Sequence, residues 1–376
     1  MKTMPQIVVK TAPRPYSVIV EEGLLSHIGR RLAGLMKRNG KPGARVLVIA
    51  SGPVRRLWGK PLLESLRLAK INAAVVEMPD GERAKNLKTT EELTEQLART
   101  HADRNSIIVA FGGGVVGDVA GFVASIYMRG IDVVQVPTTL LAQVDAAIGG
   151  KTGVNLRAGK NLVGHFHNPL AVFVDPGVLG TLPERQFRAG LFEVLKCGVI
   201  GNLALFAEFD GRNSEKLRGN SALMQEMIVQ AVKLKAAVVA ADERESDLRR
   251  VLNFGHTIGH ALETESGYKK FLHGEAVAWG MIAACHIAFE TGHLAEVDAK
   301  RIYDAVISLG PLPAVTASDR AVLRLLQSDK KTIQGVLHFV LPTKVGRVAI
   351  VKDVPELAVV NAVRFIREIS ATSRKS

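Results

Sequence analysis

The first half of the chain repeats one pattern: a short apolar run, a glycine, proline or polar turn, and then a stretch with helical spacing. The apolar runs lie at residues 45–50, 73–78, 106–111, 131–136 and 171–174. They are apolar at nearly every position rather than at every second one, which is typical of strands buried on both faces of a parallel sheet. The pattern predicts an α/β domain with a Rossmann-like parallel sheet covered by helices on both faces.

Beyond residue 176 the pattern changes to longer stretches with helical periodicity, at 225–241, 273–292 and 295–309. The turn Asp175-Pro176-Gly177 and the pair Leu182-Pro183 separate the two patterns. A chain of 376 residues also suits two domains. We therefore predict that residues 1–178 form the α/β domain and residues 179–376 a mainly α-helical domain. A late apolar run at 337–341 is compatible with a short strand or with buried coil.

The composition excludes several classes of function. The net charge of +13 favours acidic partners, but the basic residues are spread along the chain and no nucleic-acid-binding motif is present. A solvated basic surface and a site for an anionic small molecule remain as interpretations. Two cysteines are too few for a disulfide framework, and the longest apolar stretch, 276–289, is too short to cross a bilayer. With no signal-peptide pattern at the N-terminus, we expect a cytoplasmic protein that binds neither nucleic acid nor membrane.

Glycines and charged residues follow the expected strand ends. Gly112-Gly113-Gly114 comes after a strand and opens a helix, where backbone N–H groups can approach an anion closely. The spacing does not match the usual dinucleotide fingerprint, so a structural tight turn remains an equal alternative to a pyrophosphate site. Asp80-Gly81-Glu82 with Lys85 could likewise hold a ribose or cap a helix.

A dense polar stretch occupies residues 129–168, mostly within or beside apolar segments. Lys151 follows Gly149-Gly150, and these glycines bring the backbone close to whatever the ammonium group touches. A buried ion pair with Asp145 is the structural alternative to a role in substrate binding. The letters Gly-Gly-Lys-Thr resemble a nucleotidase phosphate loop, but the first glycine of that motif is missing, so we reject this reading.

Histidines and buried charges in the second half predict a metal site. His256 and His260 are four residues apart and lie on one face of a helix, and His273 precedes another helix. Glu193 and Lys196 fall in an apolar helix, where neither should be buried without a partner. Two histidines and a carboxylate are a frequent ligand set for catalytic zinc. From spacing alone, His256 and His260 are the expected metal pair, with a coincidental HxxxH as the alternative.

Taken together, these segments resemble the 3-dehydroquinate synthase family from about residue 80 to about residue 346. Residues 112–175 and 243–281 carry the resemblance. It implies a dehydroquinate synthase-like fold, NAD and Zn²⁺ (or Co²⁺) as cofactors, a phosphorylated sugar-acid substrate and a homodimer.

The resemblance also implies a reaction. The substrate would be 3-deoxy-D-arabino-heptulosonate 7-phosphate and the products 3-dehydroquinate and phosphate, which makes the enzyme a phosphate-eliminating lyase of the shikimate pathway. The steps would be a transient NAD-dependent oxidation, phosphate elimination, re-reduction and an intramolecular aldol closure. The alternatives are another sugar-phosphate cyclase of deoxy-inosose or valiolone type, a metal-dependent polyol dehydrogenase, or an inactive binding protein.

Roles for single residues follow from the same resemblance. The metal ligands would be Glu193, His256 and His273, which moves His260 from the metal to the substrate. The NAD site would be lined by Asp80, Glu82, Lys85, Gly112, Gly113, Gly114, Asp118, Thr138, Thr139, Lys151 and Lys160. The catalytic group would comprise Lys151, Lys196, Asn161, Asp145, His260 and Glu245. Further substrate contacts would come from Arg129, Lys235, Arg249, Asn253 and Lys330 or Lys331, between which the sequence does not decide.

Overall fold

The structure is a computed structural model of the chain, and it describes residues 5–330 and 338–372. Its contacts divide the chain into two compact units. One comprises Met1–Leu182 with Met224–Arg244, and the other comprises Pro183–Leu223 with Glu245–Ser376. The sequence pattern gave no sign that residues 224–244 group with the α/β part of the chain. The predicted boundary between residues 178 and 179 stays a prediction.

The secondary structure alternates early and becomes helical later. The strands are β1 (Gln6–Val9), β2 (Tyr16–Val20), β3 (Val46–Ser51), β4 (Ala73–Met78), β5 (Ile107–Gly112), β6 (Asp132–Pro137), β7 (Lys151–Leu156), β8 (Gly159–Phe166), β9 (Ala171–Val174), β10 (His338–Lys344) and β11 (Arg347–Lys352). The helices are α1 (Ile28–Arg38), α2 (Gly52–Leu68), α3 (Leu87–Arg99), α4 (Gly114–Ile126), α5 (Glu184–Gly201), α6 (Leu203–Ala207), α7 (Ser214–Arg218), α8 (Ser221–Ala241), α9 (His256–Glu265), α10 (His273–Glu290), α11 (Glu296–Ser308), α12 (Asp319–Lys330) and α13 (Glu356–Thr372).

A seven-stranded sheet with the order β1-β2-β9-β6-β5-β3-β4 forms the centre of the first unit. Every neighbouring pair is parallel except β1–β2, which is antiparallel, so the Rossmann-like sheet expected from the apolar runs is confirmed. The edge strand β1 escaped the sequence search because it alternates: Gln6 and Val8 are exposed, while Ile7 and Val9 are buried. β7 and β8 form a separate two-stranded antiparallel hairpin.

Helices cover both faces of this sheet, as the alternation of strands and helices predicts. Val46 and Val48 of β3 face a core cluster that includes residues of α1 and α2. Leu47 and Ile49 of the same strand face the opposite cluster, which includes residues of α3 and α4. Each such fully buried aliphatic side chain contributes roughly 1.5–3 kcal/mol of hydrophobic stabilisation, which fixes the register of the strand.

The second unit is mainly helical, as predicted, and α10 lies at its centre. This helix packs against α5, α9, α11 and α13 and against β10 of the β10–β11 hairpin. Two glycines permit close approach: a Cβ on Gly274 would lie 1.9 Å from the carbonyl oxygen of Ala189 in α5, and one on Gly280 would lie 1.8 Å from that of Gly255. These contacts set the separation of α10 from α5 and from the start of α9. β10 contains most of the late apolar run, whose first residue, 337, lies outside the described part of the chain.

Within residues 5–330 and 338–372, no helix combines the length and the apolar character needed to cross a membrane.

Candidate active site

A buried acid and a buried base occupy consecutive turns of α5. Glu193 and Lys196 are 1% and 2% exposed, and Lys196 Nζ lies 2.5 Å from Glu193 Oε2. The expectation that neither charge would be buried alone is therefore met by their pairing with each other. Apart from this ion pair, neither carboxylate oxygen of Glu193 has a hydrogen-bond partner among the residues that the structure describes. Because buried polar atoms normally have such partners, these oxygens retain lone pairs that can bind a cation.

Two imidazole rings turn their Nε2 atoms towards Glu193. Oε1 of Glu193 lies 3.5 Å from Nε2 of His273 and 3.9 Å from Nε2 of His256. On the other side of the rings, Nδ1 of His256 lies 3.1 Å from the carbonyl oxygen of Phe254, and Nδ1 of His273 lies 3.3 Å from Oε2 of Glu263. A carbonyl oxygen only accepts, so Nδ1 of His256 carries the proton and its Nε2 lone pair faces the acid.

Burial keeps the pKa of His256 well below its ordinary value, and the nearby Lys196 charge lowers this pKa further. The ring is therefore neutral at physiological pH and able to act as a metal ligand.

The positions of His256 and His273 are set by the starts of two helices. His256 and His273 are the first residues of α9 and α10, and Gly255 precedes α9 with a left-handed φ of 79° that favours glycine. The start of α10 is fixed by Glu275, whose carboxylate accepts from the backbone N–H of Leu272 at 2.8 Å. Arg185 of α5 donates to the same carboxylate from Nε at 2.6 Å and from Nη2 at 2.8 Å. This bidentate pair ties the first turn of α10 to α5, the helix that carries Glu193.

The donor set fits a divalent cation. Ligand atoms of Glu193, His256 and His273 lie within 4.8 Å of one another. One carboxylate and two imidazoles with neutral Nε2 atoms suit Zn²⁺ or Co²⁺ and leave a coordination position free for another ligand. His256 and His260, the pair expected from spacing alone, are also close, with ring centroids 5.2 Å apart. The group of ligand atoms that includes the buried acid Glu193, however, contains His273 and not His260. Ligand atoms of His260, Glu263 and His273 also lie within 4.8 Å of one another.

Three further predicted residues of the second unit lie just before α9. Arg249 is buried within a 3₁₀ helix, Leu248–Asn253. Asn253 closes the same segment and donates from Nδ2 to Oε1 of Glu245 at 3.0 Å. Glu245 has a φ of 60°, a left-handed conformation that is uncommon for a non-glycine residue. The segment therefore joins a buried guanidinium, an amide and a carboxylate within a few residues of His256.

In the first unit, the glycine turn sits where the order of the strands reverses. β3 has β4 on one side and β5 on the other, so the chain changes direction across the sheet between β3 and β5. Ligands of open α/β sheets bind outside the carboxyl ends of the strands at such a switch point. Gly112 ends β5, Gly113 follows, and Gly114 begins α4, which agrees with the expected strand, turn and helix.

The next strand end lies against this turn. The N–H of Thr138, directly after β6, donates to the carbonyl oxygen of Gly112 at 2.9 Å. A Cβ on Gly113 would lie 3.0 Å from Cγ2 of Thr139, and one on Gly112 would lie 2.5 Å from Cγ2 of Val116. The glycines are thus required by close packing, and the packing leaves the first N–H groups of α4 uncovered by a side chain from the turn itself.

Charged residues after β4 are linked to the glycine-turn helix and to the β7–β8 hairpin. Lys85 is buried and its Nζ lies 2.5 Å from Oδ2 of Asp118 in α4. Desolvation raises the pKa of the Asp118 carboxyl above its ordinary value, although the Lys85 charge opposes this shift. Asn155 of β7 donates from its backbone to the carbonyl oxygen of Lys85 at 2.9 Å and from Nδ2 to Oε1 of Glu82 at 2.8 Å.

The hairpin brings two more predicted residues to this network. The N–H of Asn161 donates to Oδ1 of Asn155 at 2.9 Å, and Lys160 Nζ lies 4.0 Å from Oε1 of Glu82. Asp80, by contrast, is exposed at the end of β4. The predicted cofactor residues therefore form two neighbouring groups along the sheet edge, one at the glycine turn and one around Glu82.

Lys151 begins β7 and is exposed, directly after two glycines with φ of 100° and 66°. The hydroxyl of Tyr16 accepts from the N–H of Gly149 at 2.9 Å and so anchors this turn to β2. Asp145 pairs with Lys235 of α8, whose Nζ donates to its carboxylate and, at 2.7 Å, to its backbone carbonyl. Arg129 is exposed and has a left-handed φ of 68°.

Two predicted residues fall at the limit of what the structure describes. Lys330 ends α12, and its side chain lies outside the described part of the chain, as does all of Lys331. The sequence search also missed Glu263, Glu275 and Arg185. The start of α10 offered one signal, since a glutamate three residues after the residue preceding a helix is typical of a capping box.

Solved structures with this fold include two related cyclases. The 2-epi-5-epi-valiolone synthase ValA of Streptomyces hygroscopicus subsp. jinggangensis 5008, solved with NAD⁺ and Zn²⁺ bound, matches with a TM-score of 0.86 and 29% identity, covering 96% of this chain and 99% of that one. A 2-deoxy-scyllo-inosose synthase, solved with carbaglucose-6-phosphate, NAD⁺ and Co²⁺, matches with a TM-score of 0.84 and 28% identity over the same shares. The fold and the acid-and-imidazole cluster therefore define a protein of the sugar-phosphate cyclase class.

Within that class the assignment is narrower. The family descriptions "3-dehydroquinate synthase N-terminal" and "3-dehydroquinate synthase C-terminal" match residues 75–189 and 190–332. The 3-dehydroquinate synthase of Koribacter versatilis (strain Ellin345) is 47% identical over 367 residues, which cover 98% of this chain and 99% of that protein. The chain belongs to the 3-dehydroquinate synthase family.

Proposed function

We propose that the chain converts 3-deoxy-D-arabino-heptulosonate 7-phosphate to 3-dehydroquinate and phosphate. The observation that carries the proposal is the pair of imidazole Nε2 atoms facing the buried carboxylate of Glu193, in a chain that belongs to this family. The 47% identity to a 3-dehydroquinate synthase, against 29% to the valiolone synthase, favours this reaction over those of the related cyclases.

In the second unit, Glu193, His256 and His273 would hold Zn²⁺ or Co²⁺ through one carboxylate oxygen and two neutral Nε2 atoms. A bound divalent cation supplies Lewis-acid polarisation of an alcohol or a ketone. Lys196 places its ammonium group 2.5 Å from the carboxylate of Glu193 and pairs with it. The buried guanidinium of Arg249 suits a carboxylate, because its planar N–H groups can donate to both carboxylate oxygens at once. With it we assign Asn253, Glu245 and His260 to substrate binding and proton handling.

In the first unit, the glycine turn and the residues after β4 would bind NAD. When bound there, NAD would supply reversible hydride transfer without net oxidation. The start of α4, where Gly113 provides no side-chain cap, offers backbone N–H groups and the positive end of a helix dipole to a pyrophosphate. Glu82 and Asp80 offer carboxylates to the ribose hydroxyls of NAD. Lys85 and Asp118 orient one another through their ion pair. The other residues assigned to the NAD site are Thr138, Thr139 and Lys160.

Three of the remaining assigned residues of the first unit carry positive charge, which suits an anionic substrate. Lys151 presents an exposed ammonium group at the start of β7, and Lys235 presents another that is oriented by Asp145. We assign Lys151, Lys235 and Arg129 to the phosphate of the substrate, because ammonium and guanidinium groups form charge-assisted hydrogen bonds to phosphate. We assign Asp145 and Asn161 to its hydroxyl groups.

The test is an assay of phosphate release from 3-deoxy-D-arabino-heptulosonate 7-phosphate. We expect stoichiometric phosphate and 3-dehydroquinate, no net accumulation of NADH, and loss of turnover after treatment with a chelator or removal of NAD. Glucose 6-phosphate, which lacks the carboxylate, serves as the control substrate and should release no phosphate. Turnover of the control, or net NADH production, would instead support a different cyclase or a polyol dehydrogenase.

We also propose that the chain works in the cytoplasm as a homodimer, in keeping with the family resemblance. Sedimentation of the purified protein measures its oligomeric state, since a dimer of 40.5 kDa chains sediments differently from a monomer at concentrations above the dissociation constant. A monomeric protein with full turnover would contradict it.

A further inference from the structure

A second acid, Glu263, is buried beside Glu193, His256 and His273, and none of the roles proposed above uses it. Its side chain is 4% exposed. It lies on α9 seven residues after His256, so the two side chains share one face of the helix with His260 between them. Its Oε2 atom lies 3.3 Å from Nδ1 of His273, at hydrogen-bonding distance. The side chain therefore contacts a proposed ligand on the side that faces away from Glu193.

This contact determines which nitrogen of His273 is free. An ionised carboxylate can only accept, so Nδ1 of His273 donates to Glu263 and the Nε2 lone pair is left facing Glu193, 3.5 Å away. His256 obtains the same tautomer from a backbone carbonyl, that of Phe254. The two ligands thus differ: one is oriented by the main chain, and the other by a charged side chain that also raises the basicity of its ring.

We propose that Glu263 is a positioning residue, which fixes the tautomer and ring orientation of His273 and thereby sets the affinity of the site for a divalent cation. The inference rests on the proposed function, because it takes Glu193, His256 and His273 as the ligands. The competing role is that of a direct ligand, since atoms of His260, Glu263 and His273 also lie within 4.8 Å of one another. The two roles differ in stoichiometry, because a ligand set that uses Nδ1 of His273 would hold a second ion.

The experiment compares E263Q with E265Q, a matched control in which an exposed glutamate of the same helix loses its charge. Each protein is stripped with a chelator and titrated with Zn²⁺ against a chromophoric competitor, which yields the dissociation constant and the number of ions bound. We expect one ion per chain and an affinity about 10- to 100-fold weaker in E263Q, the usual cost of losing such a partner. E265Q should bind as the wild type does, and the melting temperature of metal-free E263Q should stay near that of the metal-free wild type.

Three results would overturn the proposal. One is a dissociation constant for E263Q within about twofold of the wild type. Another is a wild type that binds two ions, of which E263Q loses one and retains the other at full affinity. The third is a lower melting temperature of the metal-free variant with unchanged metal affinity, which would assign Glu263 a purely structural role.

A second variant covers the case in which E263Q does not fold. E263D keeps the charge but withdraws the carboxylate by one methylene, and we expect weaker Zn²⁺ binding and an altered absorption spectrum of the Co²⁺-loaded protein. Wild-type values for both would refute the positioning role of Glu263.

H273A separates this inference from the proposed function. Full metal content in H273A would contradict both, whereas loss of metal in H273A with unaffected Glu263 variants would contradict this inference alone.

Discussion

The metal cluster and the nucleotide edge differ in how their geometry is produced. The metal cluster, by which we mean the proposed ligands Glu193, His256 and His273, is assembled from the middle of one helix and the first residues of two others, and packing between helices holds it together. The nucleotide edge, by which we mean the turns after β4, β5 and β6 that are proposed to bind NAD, follows directly from the ends of adjacent parallel strands. Local pattern is therefore informative about the edge, whereas the cluster depends on contacts between helices. Variants in the two regions should accordingly fail in different ways.

The largest effect is expected for H273A. Removing one of three ligands should abolish stable metal binding and lower turnover by about 10³-fold or more, because Lewis-acid stabilisation contributes several kcal/mol to the transition state. Metal content by elemental analysis and phosphate release are measured together. H293A, an exposed histidine shortly after α10, is the control and should keep both. If H273A retained its metal, the ligand assignment would be wrong.

The next largest effect is on stability, in K196M. The variant leaves the carboxylate of Glu193 buried without its cation, so metal-free protein should lose about 3–5 kcal/mol of unfolding free energy. Added Zn²⁺ should restore part of the loss, because a bound cation again compensates the acid. K300M breaks an exposed pair with Asp304 and should cost no more than about 1 kcal/mol. Denaturant unfolding measures both, and equal losses in the two variants would show that Glu193 does not depend on Lys196.

Local signals predicted the fold class, and the structure confirms the parallel sheet and the helical second part. They also predicted the glycine turn at the end of β5, whereas its role in binding NAD was implied only by the resemblance to the family and stays a prediction. The strand followed by Gly112-Gly113-Gly114 and a helix is found where the pattern placed it. The alternating strand β1 was missed, because its pattern is not the continuous apolar run of a strand buried on both faces.

The cluster could not be derived in the same way. Spacing alone pointed to His256 with His260, with Glu193 and His273 as further candidates, and the choice of His273 in place of His260 came only from the resemblance to the family. Glu193 lies more than sixty residues before His256, and no local rule shows that α5 and α10 meet at Gly274. Glu263 and Glu275 were missed for a related reason: their partners, His273 and Arg185, are distant in sequence or on another element. Tertiary contacts decide such positions.

A smaller effect is expected for K151A at the edge. Its ammonium group is exposed, so the substitution should change unfolding free energy by no more than about 0.5 kcal/mol and leave metal content unchanged. Turnover should fall by about 10²-fold, the scale seen when one charge-stabilising donor is removed from an active site. R157A alters an exposed cation in the turn between β7 and β8 and is the matched control. Near-normal turnover in K151A would exclude it from the catalytic group.

The smallest effect should come from N155A, which tests whether the edge acts as one network. The variant loses the side-chain hydrogen bonds to Glu82 and to the N–H of Asn161 but keeps the backbone bond to Lys85. With each bond contributing about 1 kcal/mol, NAD should bind roughly 5- to 30-fold more weakly. Metal affinity should not change, because none of the proposed metal ligands lies in this hairpin.

Equilibrium dialysis with NAD measures the change in NAD affinity, and N105A, in an exposed turn before β5, is the control. If N155A weakened metal binding as much as NAD binding, the two regions would not be independent, and the contrast between a packed cluster and a locally built edge would not hold.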